Sequence, residues 1–174
     1  MSRLSTLSPN AIKAMFSSET DEQLITLITL QDPNNLNQPV RLANGFTGRL
    51  SSLTTDDEVV YGVTSRGNDY VFLPLEVNLP TDDDAGLGDC TLTLNYVTSQ
   101  AIELVRSHLM SATPVTLELV LGSTPNYVEA SFTGFYATNV NYNSQSITLS
   151  LSAINYNREP FPCYNFTPSY FPGM

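Results

Sequence analysis

The sequence predicts a mainly β protein: an antiparallel β-sandwich or barrel with one or two short flanking α-helices and an extended C-terminal arm. Three observations predict it. Short runs of alternating apolar and polar residues recur, as in "LEVNL", "CTLTLNYV", "PVTLELVLG" and "SQSITLSLSAIN", and this period of two marks a strand with one buried face. Turn-forming clusters such as "QDPNN", "SRGN" and "STPN" separate these runs, each rich in residues that favour reversals. Helical periodicity appears in only two stretches, so closely spaced strands pair antiparallel in a sandwich or barrel.

The elements follow in order. "LSPNAIKAMFSS" predicts a short helix, with Ser8 as its cap and Pro9 at its first position, where a missing N–H does no harm. Ala11, Ile12, Met15 and Phe16 then share one apolar stripe. In "EQLITLITLQ", Leu24, Ile25, Leu27, Ile28 and Leu30 are too densely apolar for a half-exposed strand. They predict a central strand covered on both faces. "VRLAN" is a second short strand, and "GFTGRLSSLTTDD" a loop or an edge. "EVVYGVTSRGNDYVFLPLEV" is a hairpin about Arg66–Gly67–Asn68, with Pro74 marking an edge or a bend because it cannot donate to a ladder.

Leu75, Val77 and Leu79 face one way, as do Leu92 and Leu94. "TSQAIELVRSHL" predicts a second helix with Ile102, Val105 and Leu109 on its apolar side. Val115, Leu117, Leu119 and Leu121 alternate in the next strand, and "STPN" is the turn after it. A long antiparallel pair then reverses at Asn143–Ser144, with Ile147, Leu149 and Leu151 facing inward. The total expected is eight or nine strands. Residues 1–158 form the β domain. Residues 159–174, "EPFPCYNFTPSYFPGM", carry four prolines, five aromatics and one carboxylate, with neither period, and read as the arm.

Composition narrows the function. The chain has 174 residues and a formal charge of −10, with Lys13 as its single lysine. Nucleic-acid backbones and anionic membranes both call for clustered Lys and Arg, so neither is an expected partner. No run reaches the ~18 apolar residues of a membrane span, and the first residues lack a signal peptide's apolar core, so the chain is expected in the cytosol. Two distant cysteines, Cys90 and Cys163, are expected as free thiols rather than a disulfide.

Candidate chemistry is sparse. Asp82, Asp83, Asp84 and Asp89 could offer oxygen ligands to calcium, yet their spacing does not match a cation-binding loop. They read as a solvated acidic turn, as do Asp56, Asp57 and Glu58. His108 is the single histidine, so a Cys–His or Ser–His catalytic group would depend on it, and it sits near the end of the second expected helix. Zinc calls for about four ligands, which one histidine and two distant cysteines do not supply. No catalytic residue, cofactor or metal is expected. The tyrosines, among them Tyr127, Tyr136, Tyr142, Tyr156, Tyr164 and Tyr170, suit half-wet surfaces such as interfaces and sugar-binding faces, and equally the outer face of strands. In the arm, Phe161, Tyr164, Phe166, Tyr170 and Phe171 combine aromatic density with low charge. They are expected to be buried against a partner or the parent domain.

The motifs in order are "LSPNAIKAMFSSETDE", "LITLITLQDP", "NQPVRLAN", "SRGNDYVFLPLEVNLPTDDD", "TLTLNYVTSQAIELVRS", "PVTLELVLGSTPNYVEA" and "NREPFPCYNFTPSYFPGM". Together they resemble a family of small minor-tail and tail-tip (distal tail) proteins of long-tailed bacteriophages and prophages. The resemblance covers nearly the whole chain. Its most specific parts are the G-x-x-Y hairpin from Gly67 to Tyr70 leading into "LEVNLPTDD", and the closing segment. There Phe166 precedes Thr167 where the family pattern has tyrosine. The resemblance implies a structural subunit of the virion tail, assembled in the host cytoplasm, with no catalytic residues. It implies a homo-oligomeric ring, a hexamer favoured over a trimer, joining the tail tube to the hub and receptor-binding parts, with tube, hub and tape-measure proteins as neighbours. The five arm aromatics are then expected at a subunit interface. The alternative is a carbohydrate- or receptor-binding module at the tail tip.

Overall fold

The computed structural model of the chain describes residues 7–31, 39–50, 59–79, 82–83, 86–87, 90–95, 113–143 and 146–153. It is mainly β. Helix α1 (Pro9–Phe16) comes first. The strands are β1 (Leu24–Leu30), β2 (Val40–Ala43), β3 (Gly48–Arg49), β4 (Tyr61–Ser65), β5 (Asn68–Phe72) and β6 (Leu75–Asn78), then β7 (Asp82–Asp83), β8 (Gly86–Leu87), β9 (Cys90–Leu94), β10 (Pro114–Leu121), β11 (Thr124–Tyr142) and β12 (Ile147–Ala153). The described residues thus hold twelve strands where eight or nine are expected. The excess is three two-residue strands, β3, β7 and β8, too short to leave a periodic signal. The second expected helix and residues 159–174 lie outside the described residues.

The helix forms where its cap predicts. The Ser8 hydroxyl accepts from the Ala11 N–H at 3.1 Å while its backbone stays extended, and Pro9 follows at the first position. This supplies an acceptor to one of the helix's unpaired N–H groups. The helix ends where the Ser17 N–H donates to the Lys13 carbonyl at 3.0 Å.

Ten strands form one sheet in the order β3-β4-β5-β2-β1-β10-β11-β12-β9-β6. The remaining two, β7 and β8, pair by themselves. Antiparallel pairing is expected throughout; eight of the nine pairings in this sheet are antiparallel, and one, β2 with β5, is parallel (Leu42↔Val71, Ala43↔Phe72). Two successive reversals, β3 to β4 and β4 to β5, return the chain to the direction of β2. The ladder is not closed, so the barrel form of the expectation is not met by hydrogen bonds.

The chain itself brings two distant strands of the ladder together. Only Leu73 and Pro74 separate β5, which lies beside β2, from β6, which lies beside β9. Seven inter-strand steps separate β5 from β6 in the sheet order, which would be about 34 Å in a flat sheet. The linking residues can span at most about 11 Å. The sheet is therefore rolled. Leu73 packs against the same buried cluster as Leu75 and Val77, as the roll requires. Pro74 stands at the bend, as its missing donor predicts.

Strand β11, at 19 residues, makes the roll possible by serving two partners in turn. Its first part pairs with β10 and its last part with β12. The register slips between Val115↔Phe135 and Leu117↔Phe132. Gly134 lies in that slip with φ +82, a backbone that side-chain-bearing residues rarely adopt. The resulting bulge bends the strand. The expected turn at Ser123–Asn126 is tighter than its composition suggested: Leu121 already faces Thr124.

The roll encloses an inner core of Ile28, Leu30, Leu42, Cys90, Leu92, Val115, Leu117, Phe132, Phe135, Leu149 and Leu151. A second cluster lies on the other face of β1 and comprises Ile25, Leu27, Ala43, Val63, Tyr70 and Val120. The β4–β5 hairpin supplies Val63 and Tyr70 and so covers this outer face. Strand β1 is buried on both sides, as its dense apolar run predicts. Each such side chain removed from water contributes roughly 1.5–3 kcal/mol.

The hairpin is held at its tip. Arg66 and Gly67 both have positive φ, 50 and 78, the signature of a tight two-residue turn. The Arg66 N–H donates to Asn126 Oδ1 at 2.7 Å, and the Ser65 hydroxyl donates to the Pro125 carbonyl at 2.6 Å. The Arg66 guanidinium pairs in two-pronged fashion with the Glu118 carboxylate, which raises its pKa.

Candidate functional site

The surface feature with the most distinctive geometry is an apolar groove between α1 and the sheet. It begins with Ser8. Besides capping α1, Ser8 donates its N–H to Glu129 Oε2 at 2.7 Å and its hydroxyl to Glu129 Oε1 at 2.5 Å. Glu129 is 5% exposed. A carboxylate buried at a helix N-terminus is stabilised by charge-assisted bonds and by the helix dipole. The bond joins residues 121 apart in sequence and holds one end of α1 against β11.

The other end of the helix does not pack as its stripe predicts. Ala11 is buried, but Met15 is 65% and Phe16 78% exposed, and neighbouring Leu24 is 54% exposed. The stripe exists, yet α1 leans on the sheet only through its first turns. Beneath and beside it lies a groove of about 810 Å³, lined chiefly by Leu7, Met15, Leu24, Leu119, Leu121 and Phe132. Phe132 belongs to the inner core and Leu119 packs against it, so the groove floor is the edge of that core.

Removing the tether tests this anchoring. Replacement of Glu129 by alanine is expected to free α1 and cost about 2–3 kcal/mol, since bonds to a charged group are lost. Lys13 is the chain's single lysine, so a lysine-specific protease has one target, and it sits in α1. Cleavage there is expected to accelerate in the variant. An unchanged rate would mean that the Glu129 bonds do not hold the helix.

A second apolar feature sits on the outer hairpin. Phe46 lies 5.6 Å from Tyr61 and 5.1 Å from Phe72 between ring centroids, with interplanar angles of 59° and 65°. Phe46 and Tyr61 are both about half exposed. The edge-on Phe46–Phe72 contact and the tilted Phe46–Tyr61 contact hold the three rings together. They make a knobbed surface rather than a flat platform.

The residues singled out in sequence distribute as follows. Phe161, Tyr164, Phe166, Tyr170 and Phe171 lie outside the described residues, as do Cys163, His108, Asp84, Asp89 and the 56–58 acidic group. Asp82 and Asp83 form β7, paired with Gly86–Leu87, which agrees with a turn. Tyr127 is exposed and Tyr136 half-buried. Among the described residues no group of three or more His, Cys, Asp or Glu could hold a metal ion, and no helix is long and apolar enough to cross a membrane. Glu129 was missed in sequence: in "YVEAS" it reads as an outward strand residue, and nothing local announces Ser8 as its partner.

Cys90 is a free, fully buried thiol in the inner core. Burial pushes its pKa up to about 11, because the thiolate would lose its hydration. The folded state therefore keeps the proton at pH values where the unfolded chain releases it. The stabilisation is full below pH 9 and is lost as the pH rises toward 11, by about 3 kcal/mol. Denaturant midpoints measured from pH 8 to 11 are expected to fall, and the fall should shrink in Cys90→Ala.

Neither a protein-family model nor a curated protein matches the chain.

Proposed function

We propose that this protein is a structural subunit of a bacteriophage tail, closing into a ring at the distal end that joins the tube to the hub and receptor-binding parts. The resemblance of its motifs to minor-tail and tail-tip proteins supplies the context. The observation that carries the reading is the aromatic cluster of exposed Phe46 and Tyr61 with half-buried Phe72 on a subunit of formal charge −10. Aromatic anchors of this kind dominate protein interfaces. A net charge of this size keeps free subunits apart, and salt or a docked partner relieves the repulsion. A head-to-tail ring uses two different patches on each copy. The aromatic cluster is one apolar patch of the required kind.

The rival reading, a carbohydrate-binding module, prefers an aromatic face free for a sugar to stack on. Rings tilted by 59° and 65° against one another suit a protein partner better. The experiment is mass measurement in solution across rising salt, on the wild type and on a Phe46→Asp, Tyr61→Asp double variant. The wild type is expected to pass from monomer to a closed oligomer, a hexamer before a trimer, while the variant stays monomeric. A wild type that stays monomeric at every salt concentration, and is missing from labelled, imaged tails, would defeat the reading.

A further inference from the structure

We propose that the 159–174 segment docks in the groove between α1 and the β10–β11 face of its own chain. The first support is where the sheet releases the chain. Strand β12 ends at Ala153, in register with Phe135 of β11. Beyond that point β11 continues from Gly134 back to Thr124, paired with β10 on one side. The antiparallel direction carries the residues after Ala153 toward Phe132. Phe132 lines the groove and lies only three positions, about 10 Å, from Phe135.

The second support is reach. The stretch of β11 that lines the groove, from Val128 to Phe132, spans about 13 Å. Residues 154–158 cover up to about 17 Å and the 16 residues of the arm about 50 Å more in an extended, proline-rich form. The arm can therefore run the length of the groove without strain.

The third support is chemistry. The groove is lined mainly by apolar side chains, with Glu22 and Glu129 among the rest, and its volume falls within the range of pockets that hold ligand-sized groups. The arm offers Phe161, Tyr164, Phe166, Tyr170 and Phe171, with Glu159 as its one charged side chain. Other undescribed segments fit less well. Residues 51–58, "SSLTTDDE", are polar and acidic. Residues 32–38 and 96–112 are anchored at Gln31 and Thr113, beside Pro114, at the opposite end of β10 from Leu121. Residues 1–6 lead directly into Leu7 but contain no aromatic side chain.

A contact within one chain also has the advantage of a high effective concentration. This moves the partner expected from sequence, a neighbouring subunit, to the chain's own surface. It goes beyond the ring reading and does not depend on it.

The test is hydrogen exchange on the isolated subunit, comparing the full chain with a truncation after Asn157. Peptides covering α1 and 119–132 are expected to exchange at least about tenfold faster in the truncated protein. Adding a synthetic 159–174 peptide should restore protection. In the full chain, protection should not change on dilution. Protection that falls on dilution would place the arm on a second copy and overturn the proposal, as would exchange unaffected by truncation. Should the truncated chain fail to fold, full-length Met15→Glu, Leu24→Glu keeps the question open to decision, since both residues are exposed. Exchange in 161–171 is expected to accelerate there, and unchanged exchange in that segment would equally overturn the proposal.

Discussion

Replacing Phe135 with alanine is expected to destabilise the fold by about 3–5 kcal/mol, the range for deleting a buried aromatic ring. Phe135 is fully buried and sits where β11 passes from one partner to the other, facing Val115 on β10 and Ala153 on β12. Its ring fills the inner core between Leu117, Leu149 and Leu151. Gly134 precedes it with a positive φ, so the bulge fixes the direction in which the ring points. Neighbours held by two ladders cannot collapse into the space, and an unrelaxed cavity puts the cost at the upper end. Phe135→Leu refills most of the volume and should cost under about 2 kcal/mol. Urea denaturation of both variants checks this. Equal midpoint shifts would mean that lost area rather than cavity formation sets the cost.

The second large effect is expected at Gly62. A Cβ placed there would lie 2.0 Å from the Tyr70 carbonyl oxygen and 2.7 Å from Leu50 Cδ1. The first of these is backbone in the partner strand, and it has no rotamer to escape into. Gly62→Ala must therefore push β4 away from β5, and overpacking of this kind costs about 3 kcal/mol or more. The damage should be regional. Val63 and Tyr70 would leave the outer cluster and expose Ile25, Leu27 and Val120 to water. Hydrogen exchange is expected to rise in β4, β5 and β1, with β9 and β12 little changed. Uniform acceleration through both cores would show that the hairpin and the roll unfold as one unit.

The difference between those two regions bears on what the sequence reveals. Local rules are legible: Ser8–Pro9 announced α1, alternation announced β9, β10 and β12, and the crowded "LITLITL" announced a strand with two cores. These signals live within a few residues of one another. The roll is a non-local fact. It follows from two residues, Leu73 and Pro74, joining strands that lie at separate places in the sheet order, and no window of sequence contains that order. The parallel β2–β5 pairing is hidden for the same reason. Gly134 did carry a readable signal, a lone glycine inside a strand pattern. The groove was not legible. Its lining comes from α1, β1, β10 and β11, and the bond that fixes α1 spans most of the chain.

The Leu73–Pro74 join has a mechanical consequence. A closed ladder resists opening by many hydrogen bonds acting in parallel along every seam. Here one side of the seam is β6 with four register pairs to β9, and the other is β5 with two register pairs to β2. A load that pries the roll apart concentrates on the weaker, two-residue side. There the protein can yield like a clasp with a covalent hinge, parting at β2–β5 while β6 stays stitched to β9. The hinge peptide keeps the parted edge within reach, so reclosure is a local step rather than a search.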